Sequence, residues 1–471
     1  MRLPPTLAEV KRLLAEHLGW PENLGVEAQG FCLTAGAGQT EALAVYLYGV
    51  ADEQAVRNLV FAPLEGTLRR MAGCPLTPQS VAGGLLTPGV RAVEDWEEMI
   101  EAVLAGDTAL FFDRAAGAVL VDTGVARHIP PAGGFRPATS HRMVFRPPLK
   151  ENIGLLRARL QMANLMARTQ TISGAPGRGA ALVYLQGVAQ PALLQAVDGW
   201  VRAQAGEEAF RRGDAAGRWS KLGMLPHVVS TPWPDQVAEL LEAGYVVLFV
   251  ESLPYAYVAP VTAAAFLLAP GDDLLRRPVG QALQLMRIGL VSLVILVPGV
   301  TIALLGYHQE MLPTPFLLGL ASRRESAPFP VIAEVLGLLL IDDILREARA
   351  RLPALISPGI ALVAGVLIML VMLQSGFVGP VAAVSVLLSS LATLGLPGYD
   401  LIMFSRTWRW PAALSAGLLG LLGLSAFSFC LTSYICQVRS FGVPFLQEGG
   451  AYRTARSWKP GAAKKGATSH E

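Results

Sequence analysis

Residues Ile288 to Gly306 read IGLVSLVILVPGVTIALLG, nineteen positions without a formal charge. At ~1.5 Å of rise per residue, such a helix nearly matches a hydrocarbon core ~30 Å thick, so the run is a membrane-spanning candidate. Pro298 near its middle removes a helical hydrogen-bond donor. The span is therefore expected to bend or break where neighbouring protein or water satisfies the freed backbone. Ala354 to Leu373 is a second span, and Val378 to Phe404 a third, broken by LGLPGYD near its end. Pro411 to Val438 is a fourth, with Trp410 and Tyr434 placed for interfacial belts. Gly359, Ala361, Ala364 and Gly365 in the second span suit close helix contact rather than a pore lining.

Charge is unevenly distributed along the chain. It has 471 residues, 52% hydrophobic and 16% charged, which exceeds one ordinary domain and is poor in charge for a soluble surface. Charged residues are frequent up to about Arg287, whereas Leu352 to Ser405 carries one formal charge, Asp400. The expected fold class is an α/β cytoplasmic region with repeated small subdomains, followed by an all-α polytopic integral membrane domain. The boundaries are residues 1–275 for two or more α/β subdomains, 276–438 for the membrane domain with broken or re-entrant segments, and 439–471 for a basic, flexible tail.

A net charge of +2 without a basic patch interleaved with aromatics argues against nucleic acid. Cys32, Cys74, Cys430 and Cys436 have no CxxC pairing, so free thiols are expected rather than a zinc knuckle or disulfide framework. The start, MRLPPTLAEVKRLLAEHLGW, lacks the apolar core of a secretory signal, which implies that the leading region stays cytoplasmic. Arg276, Arg277 and the basic tail favour both ends inside, against a competing preference from Arg346, Arg349, Arg351, Arg406 and Arg409.

In the water-facing half, Leu3, Leu7, Val10 and Leu14 recur at helical spacing. Leu43, Val45 and Leu47 alternate with Ala44, Tyr46 and Tyr48 as in a strand, and Gly49 supplies a turn. GDTALFFDRAAGAVLVDTG predicts strands over Thr108 to Phe112 and Ala118 to Val121. ALVYLQGVAQPALLQAV and YVVLFVESLPYAYVAPV begin third and fourth units, the latter after a helix from Trp233 to Glu242. After Pro147 and Pro148, Ile153, Leu156 and Leu160 fit a helix that also carries Arg157 and Arg159. Two readings stand for it: a solvated amphipathic helix, or a surface on which the arginines contact lipid headgroups or an acidic partner.

Soluble chemistry finds little support. GAPGRGA lacks the GK[ST] ending of a phosphate loop. There is no HExxH, and His17, His128, His141, His227, His308 and His470 are dispersed, so neither a metal, a cofactor nor a catalytic site is expected. Asp122 and His128 have nothing that specifies a nucleophile beside them.

The stretch PFPVIAEVLGLLLIDDILREARARLP, from Pro328 to Pro353, is the most informative. MLPTPFLLGLA and PFPVIAEVLGLLLI are each short for a span, so they form either a broken or re-entrant pair or one short, tilted crossing. Glu334 sits within an apolar run, where a carboxylate needs water, a cation, a proton or a positive partner. Asp342 reaches Arg346, and Glu347 reaches Arg351, at the i,i+4 spacing of a helix. Glu334, Asp342, Asp343, Arg346, Glu347 and Arg351 are therefore gate or conduit candidates. The competing reading makes Glu334 an interfacial structural residue and the charge run a solvated connecting helix.

The chain resembles the A-subunit family of bacterial spore germinant receptors over roughly Gly30 through Leu446. The residues that carry the resemblance are GDTALFFDRAAGAVLVDTG, ENIGLLRARLQMANL, PDQVAELLEAGYVVLFVESLPYAYVAPVT, GYHQEMLPTPFLLGLASRRESAPFPVIAE, ILREARARLP and SFGVPFL, in that order. The resemblance implies a multi-pass protein of the spore inner membrane with a cytoplasmic leading region. It further implies assembly with a transporter-like B subunit and a lipoprotein C subunit, contact with membrane lipid, a possible homo-oligomer, and participation in ion release and germination signalling. A related sporulation branch accompanies dipicolinate-release machinery. His308, Glu310 and Pro313 match the family pattern and are expected at an interface or partner contact, together with Arg157 and Arg159. The chain departs from the pattern in PPLKENIGLLRARL, in VVSTPWPDQV, where only Pro234 and Asp235 match, and at Leu274 and Leu275, where aromatics are common. The expected function is a germinant-receptor subunit that helps form or gate an ion-release channel. The alternative is a non-conducting scaffold or signalling subunit.

Overall fold

The computed structural model describes residues 1–35, 38–64, 77–85, 87, 89–124, 144–171, 179–203, 228–251, 253–269, 277–324, 328–349 and 357–446. The described chain forms two compact units, one running to Pro260 and the other beginning at Val261. GAPGRGA up to Arg178, Cys74, His128, His141, His227, His470 and Arg351 lie outside the described residues.

The first unit contains two five-stranded antiparallel sheets of the same design. One comprises β1 (Val26–Ala35), β2 (Gly38–Leu47), β3 (Arg91–Val93), β4 (Thr108–Phe112) and β5 (Ala118–Val121), in the order β1-β2-β4-β5-β3. The other comprises β6 (Leu165–Thr171), β7 (Gly179–Leu185), β8 (Val229–Thr231), β9 (Val246–Val250) and β10 (Ala256–Ala259), in the order β6-β7-β9-β10-β8. Helices recur at matching places. α1 (Leu7–Leu18) and α2 (Trp96–Ala105) flank the first set, and α3 (Leu149–Leu160), α4 (Pro191–Ala203) and α5 (Pro234–Glu242) accompany the second. The four expected strand-and-helix units are thus two: the first and second share one sheet, and the third and fourth share the other.

Alternation in the strands dictates the layers. Leu43, Val45, Leu47 and Phe111 point to the side covered by Leu7, Val10, Leu14 and Leu18 of α1 and by Trp96, Met99 and Val103 of α2. Ala42, Ala44, Leu110, Phe112 and Val119 point to the other side, onto Val60, Leu64 and Val81. Burial on both faces commits each strand's register, because a one-residue slip would exchange the two sets. Gly49 has φ 80° and lies so close to Gly154 of α3 that an added Cβ would stand 2.7 Å from its Cα. A side chain at either position would push the two halves of this unit apart.

The second unit is helical: α6 (Arg277–Gly306), α7 (Thr314–Arg324), α8 (Val331–Arg349), α9 (Ser357–Gln374), α10 (Pro380–Ala392) and α11 (Tyr399–Gln437). Among the described residues, two helices are long and apolar enough to cross a bilayer, Val279–Gly306 and Tyr399–Gln437. α11 is not one straight rod. Gly420 has φ 62° and ψ −140°, and the chain reverses there. Trp408 consequently meets Tyr434 with ring centroids 5.6 Å apart and Phe427 at 6.0 Å. In a straight helix, residues twenty-six apart would be separated by ~39 Å. The expectation of one span from Pro411 to Val438 is therefore corrected: the reversal falls inside that range, because glycine alone tolerates this backbone conformation.

Neighbouring directions follow from the contacts. Gly299 of α6 lies against Ala412 and Leu424 of the two limbs of α11, and Tyr307 donates its hydroxyl to Gly417 O. Ser389 of α10 donates to Val294 O at 3.0 Å. Pro298 is accommodated inside α6, which continues through it. The expected boundary at 275 and tail at 439 also shift. Phe266 packs on Phe404 and Phe445, Arg287 donates to Leu267 O, and Arg439–Ser440 pairs with Val443–Pro444, so residues 261–269 and 439–446 belong to the helical unit.

Candidate functional site: a buried ion cluster

The two short apolar segments fall in separate helices, α7 of 11 residues and α8 of 19. α8 is ~28 Å long at helical rise. Asp342, Asp343 and Arg346 stand near its C-terminal end. The first limb of α11 presents Arg406, Arg409 and Trp410 at i, i+3 and i+4, hence on one face. α10 contributes Ser390.

These side chains satisfy one another. Arg409 donates from Nη1 to Asp342 Oδ2 at 2.8 Å and from Nη2 to Asp343 Oδ1 at 2.7 Å. Arg346 Nε reaches Asp342 Oδ2 at 3.1 Å, and its Nη2 reaches the carbonyl and hydroxyl of Ser390 at 3.0 and 2.8 Å. Ser390 Oγ donates to Asp342 Oδ1 at 2.8 Å. Arg406 Nε donates to Asp343 Oδ1 at 2.9 Å, and Trp410 Nε1 to Asp343 Oδ2 at 2.9 Å. The Arg409 side chain is 0% exposed, and Arg346 is 8%. Three guanidinium groups therefore meet two carboxylates in a largely buried cluster, with Arg406 and Asp343 at its more exposed side, and Arg409 Nε is buried without an acceptor among the described residues. Such a cluster contributes little net stability, because desolvation offsets attraction, but losing one member strands its partners.

Glu334 lies in the first turn of the same helix and is 4% exposed. Its Oε2 accepts the Gly379 N–H at 3.0 Å, and Gly379 is the N-cap of α10. A carboxylate at a helix N-terminus is held by exposed N–H groups and the positive end of the dipole. Glu334 and Asp342 are eight residues apart, ~12 Å along the helix. The structure thus brings Asp342, Asp343 and Arg346 together and places Glu334 at a separate capping point. Glu347 is exposed, and its expected partner Arg351 lies outside the described residues.

The remaining candidates are scattered. His308 Nδ1 lies 3.4 Å from Glu310 Oε1 on the exposed turn after α6, and Pro313 is exposed just before α7. Arg159 pairs with Asp235 of α5 at 3.0 Å, both about half exposed. Arg157 is corrected: it is buried, not a docking arginine. Its Nη2 donates to Asn23 Oδ1 and Leu24 O, each at 2.8 Å. Asn23 in turn accepts Ala167 N–H and donates to Leu18 O and Leu165 O. Burial pushes the Arg157 guanidinium down to about 10, which leaves it charged at neutral pH.

Sequence reasoning missed Arg406, Arg409, Trp410 and Ser390 as site residues. The signal was present: basic residues inside a long apolar helix require internal partners, and Asp342–Asp343 is the acidic pair on a neighbouring apolar helix.

The family model for Bacillus/Clostridium GerA spore germination protein matches residues 20–462. The chain belongs to the GerA family. Spore germination protein KA of Bacillus subtilis (strain 168) is 24% identical over 418 residues, covering 85% of this chain and 74% of that protein. Spore germination protein A1 of the same strain is 26% identical over 366 residues, covering 77% and 76%. Spore germination protein XA of Bacillus anthracis is 29% identical over 318 residues, covering 64% and 62%. The crystal structure of the N-terminal domain of the A subunit of the Bacillus megaterium spore germinant receptor GerK3 aligns with a TM-score of 0.46 and 18% identity, covering 55% of this chain and 96% of that one. GerA membership gives the chain a general role in spore germination, and its apolar helices are consistent with membrane association.

Proposed function

We propose that this GerA-family chain is an A-type germinant-receptor subunit, multi-pass in the spore inner membrane, with its α/β unit in the cytoplasm. It assembles with a transporter-like B subunit and a lipoprotein C subunit and helps form or gate an ion-release channel when nutrient is sensed. One observation carries the reading: Asp342, Asp343, Arg346, Arg406 and Arg409 tie α8 to α11, and through Ser390 to α10, by charge-assisted bonds in a largely buried cluster. A cluster of this kind has discrete pairings, so helices joined by it shift between arrangements rather than slide continuously. Stimulus at a partner would act by changing which pairing is lowest in free energy.

The test is ion flux from vesicles containing the full receptor complex. Asp343→Asn keeps the side-chain shape while weakening the bonds from Arg406, Arg409 and Trp410. Flux without germinant, from complexes that assemble normally, is the expected result. Wild-type flux, closed without germinant and open with it, would remove the cluster from gating.

A second reading has its own support. Glu334 is engaged as a cap on α10, a role that needs no ion path. A non-conducting scaffold or signalling subunit, such as one serving dipicolinate release, fits that role. Complexes that form fully yet show no flux dependent on this chain would favour it.

A further inference from the structure

The charge cluster also borders a cleft between α8, α9 and α10. Leu345 of α8, Val366 and Met369 of α9, and Leu387 of α10 form its apolar walls, and Asp342, Arg346 and Ser390 form its polar end. The surrounding surface is itself apolar and exposed: Val363, Leu367, Leu391 and Leu394 are each more than 40% accessible. A cleft of this composition opens toward hydrocarbon.

Its polar end has a sign. The five charged side chains of the cluster comprise three guanidinium groups and two carboxylates, leaving one positive charge in excess. Arg346 spends Nε on Asp342 and Nη2 on Ser390. Among the described residues no acceptor meets its Nη1, and that atom is not sealed from the outside. The depth is also defined. Ser389, next to Ser390, bonds Val294, and Gly395 approaches Leu290, so this level lies within two turns of Arg287, where the charge-free part of α6 begins. If α6 spans the bilayer, that is the zone in which lipid headgroups meet acyl chains.

We propose that the α8–α9–α10 cleft holds one acidic glycerophospholipid, with its phosphate on Arg346 Nη1 and an acyl chain along Leu345, Val366, Met369 and Leu387. A neutral zwitterionic lipid presents its own cation beside the phosphate and gains less from the excess charge. The bound headgroup completes the charge balance of the cluster, so lipid composition would bias the pairing of α8 with α11. The proposal rests on the membrane placement given above.

The probe is a pair of nanodisc preparations of the full chain, one in phosphatidylcholine and one in phosphatidylcholine with a minor share of phosphatidylglycerol. Lipids retained after detergent extraction are counted by native mass spectrometry. Wild type should retain phosphatidylglycerol about fivefold above its bulk share, the effect of one basic residue near a lipid surface. Arg346→Gln should fall to the bulk ratio, Arg346→Lys should keep most of the enrichment, and Arg439→Gln, an exposed basic position, should behave as wild type. Wild type alone keeps the proposal falsifiable if Arg346→Gln fails to fold. Retention at the bulk ratio, or enrichment unaffected by Arg346→Gln, overturns the lipid site while leaving the membrane reading intact. A chain that does not enter nanodiscs at all overturns both.

Discussion

Arg409 bridges the consecutive carboxylates of Asp342 and Asp343, one through each terminal nitrogen, from a position with no solvent exposure. Only a planar guanidinium serves two acceptors in this way, so lysine is not a conservative replacement. Arg409→Leu leaves both carboxylates without their buried partner and is expected to destabilise the helical unit by ~3–5 kcal/mol. Arg409→Lys should recover less than half of that loss. Thermal unfolding of the full chain in detergent checks both, and an Arg409→Leu protein as stable as wild type would mean that water reaches the cluster.

Asn23 and Arg157 make a second buried node, in the α/β unit. Arg157→Leu removes charge-assisted bonds to Asn23 and Leu24, a loss of ~1–3 kcal/mol near neutral pH. The folded guanidinium sits at about 10, well below its ordinary range, because burial disfavours the charge. The unfolded chain therefore binds this proton more tightly. Wild-type stability from this group rises as pH passes upward through 10, and the gap to Arg157→Leu should widen by ~1 kcal/mol between pH 8 and 10.5. Denaturant midpoints across that range measure it. A gap that narrows with rising pH would contradict a desolvated cation.

Glu334 separates capping from conduction. Glu334→Gln retains a carbonyl acceptor for the Gly379 N–H and loses only the charge at the start of α10, a cost of ~0.3–2 kcal/mol. A pure cap predicts full assembly, a slightly lower unfolding temperature and unchanged flux. Altered conductance or selectivity at unchanged assembly would instead place Glu334 on an ion path.

Local pattern made much of the fold legible. Thr108–Phe112 and Ala118–Val121 are strands at the expected residues, because turn chemistry at Asp113–Gly117 fixes both ends. Asp342 and Arg346 meet at the expected i,i+4 spacing for the same local reason. The pairing of Asp342 and Asp343 with Arg406 and Arg409 was not legible, since it joins segments more than sixty residues apart and hydropathy treats each charge as a break. Arg157 misled because helical spacing gives which residues share a face, not which face is covered. The cover is Asn23 from the loop after α1, again a distant contact.

The reversal at Gly420 sets where both ends of α11 lie. Gly420 holds φ 62° and ψ −140°, and an added Cβ would stand 3.1 Å from Tyr307 and from His308. Gly420→Ala should therefore cost ~1–3 kcal/mol in backbone strain, before any displacement of Tyr307. The hairpin also carries a topological consequence. Tyr399 and Arg439 lie at the same end of the two limbs, whereas one straight helix of 39 residues would place them ~58 Å apart, beyond either face of a bilayer. In a chain with Cys32, Cys74, Cys430 and Cys436 replaced by alanine, cysteines placed singly at Tyr399 and Arg439 should both react with a membrane-impermeant maleimide from one side of sealed vesicles. A cysteine at Leu419, next to the turn, should react from the other side if the limbs cross fully, and from neither if the hairpin is re-entrant. Labelling of Tyr399→Cys and Arg439→Cys from opposite sides would exclude the hairpin, and with it the approach of Trp408 to Tyr434.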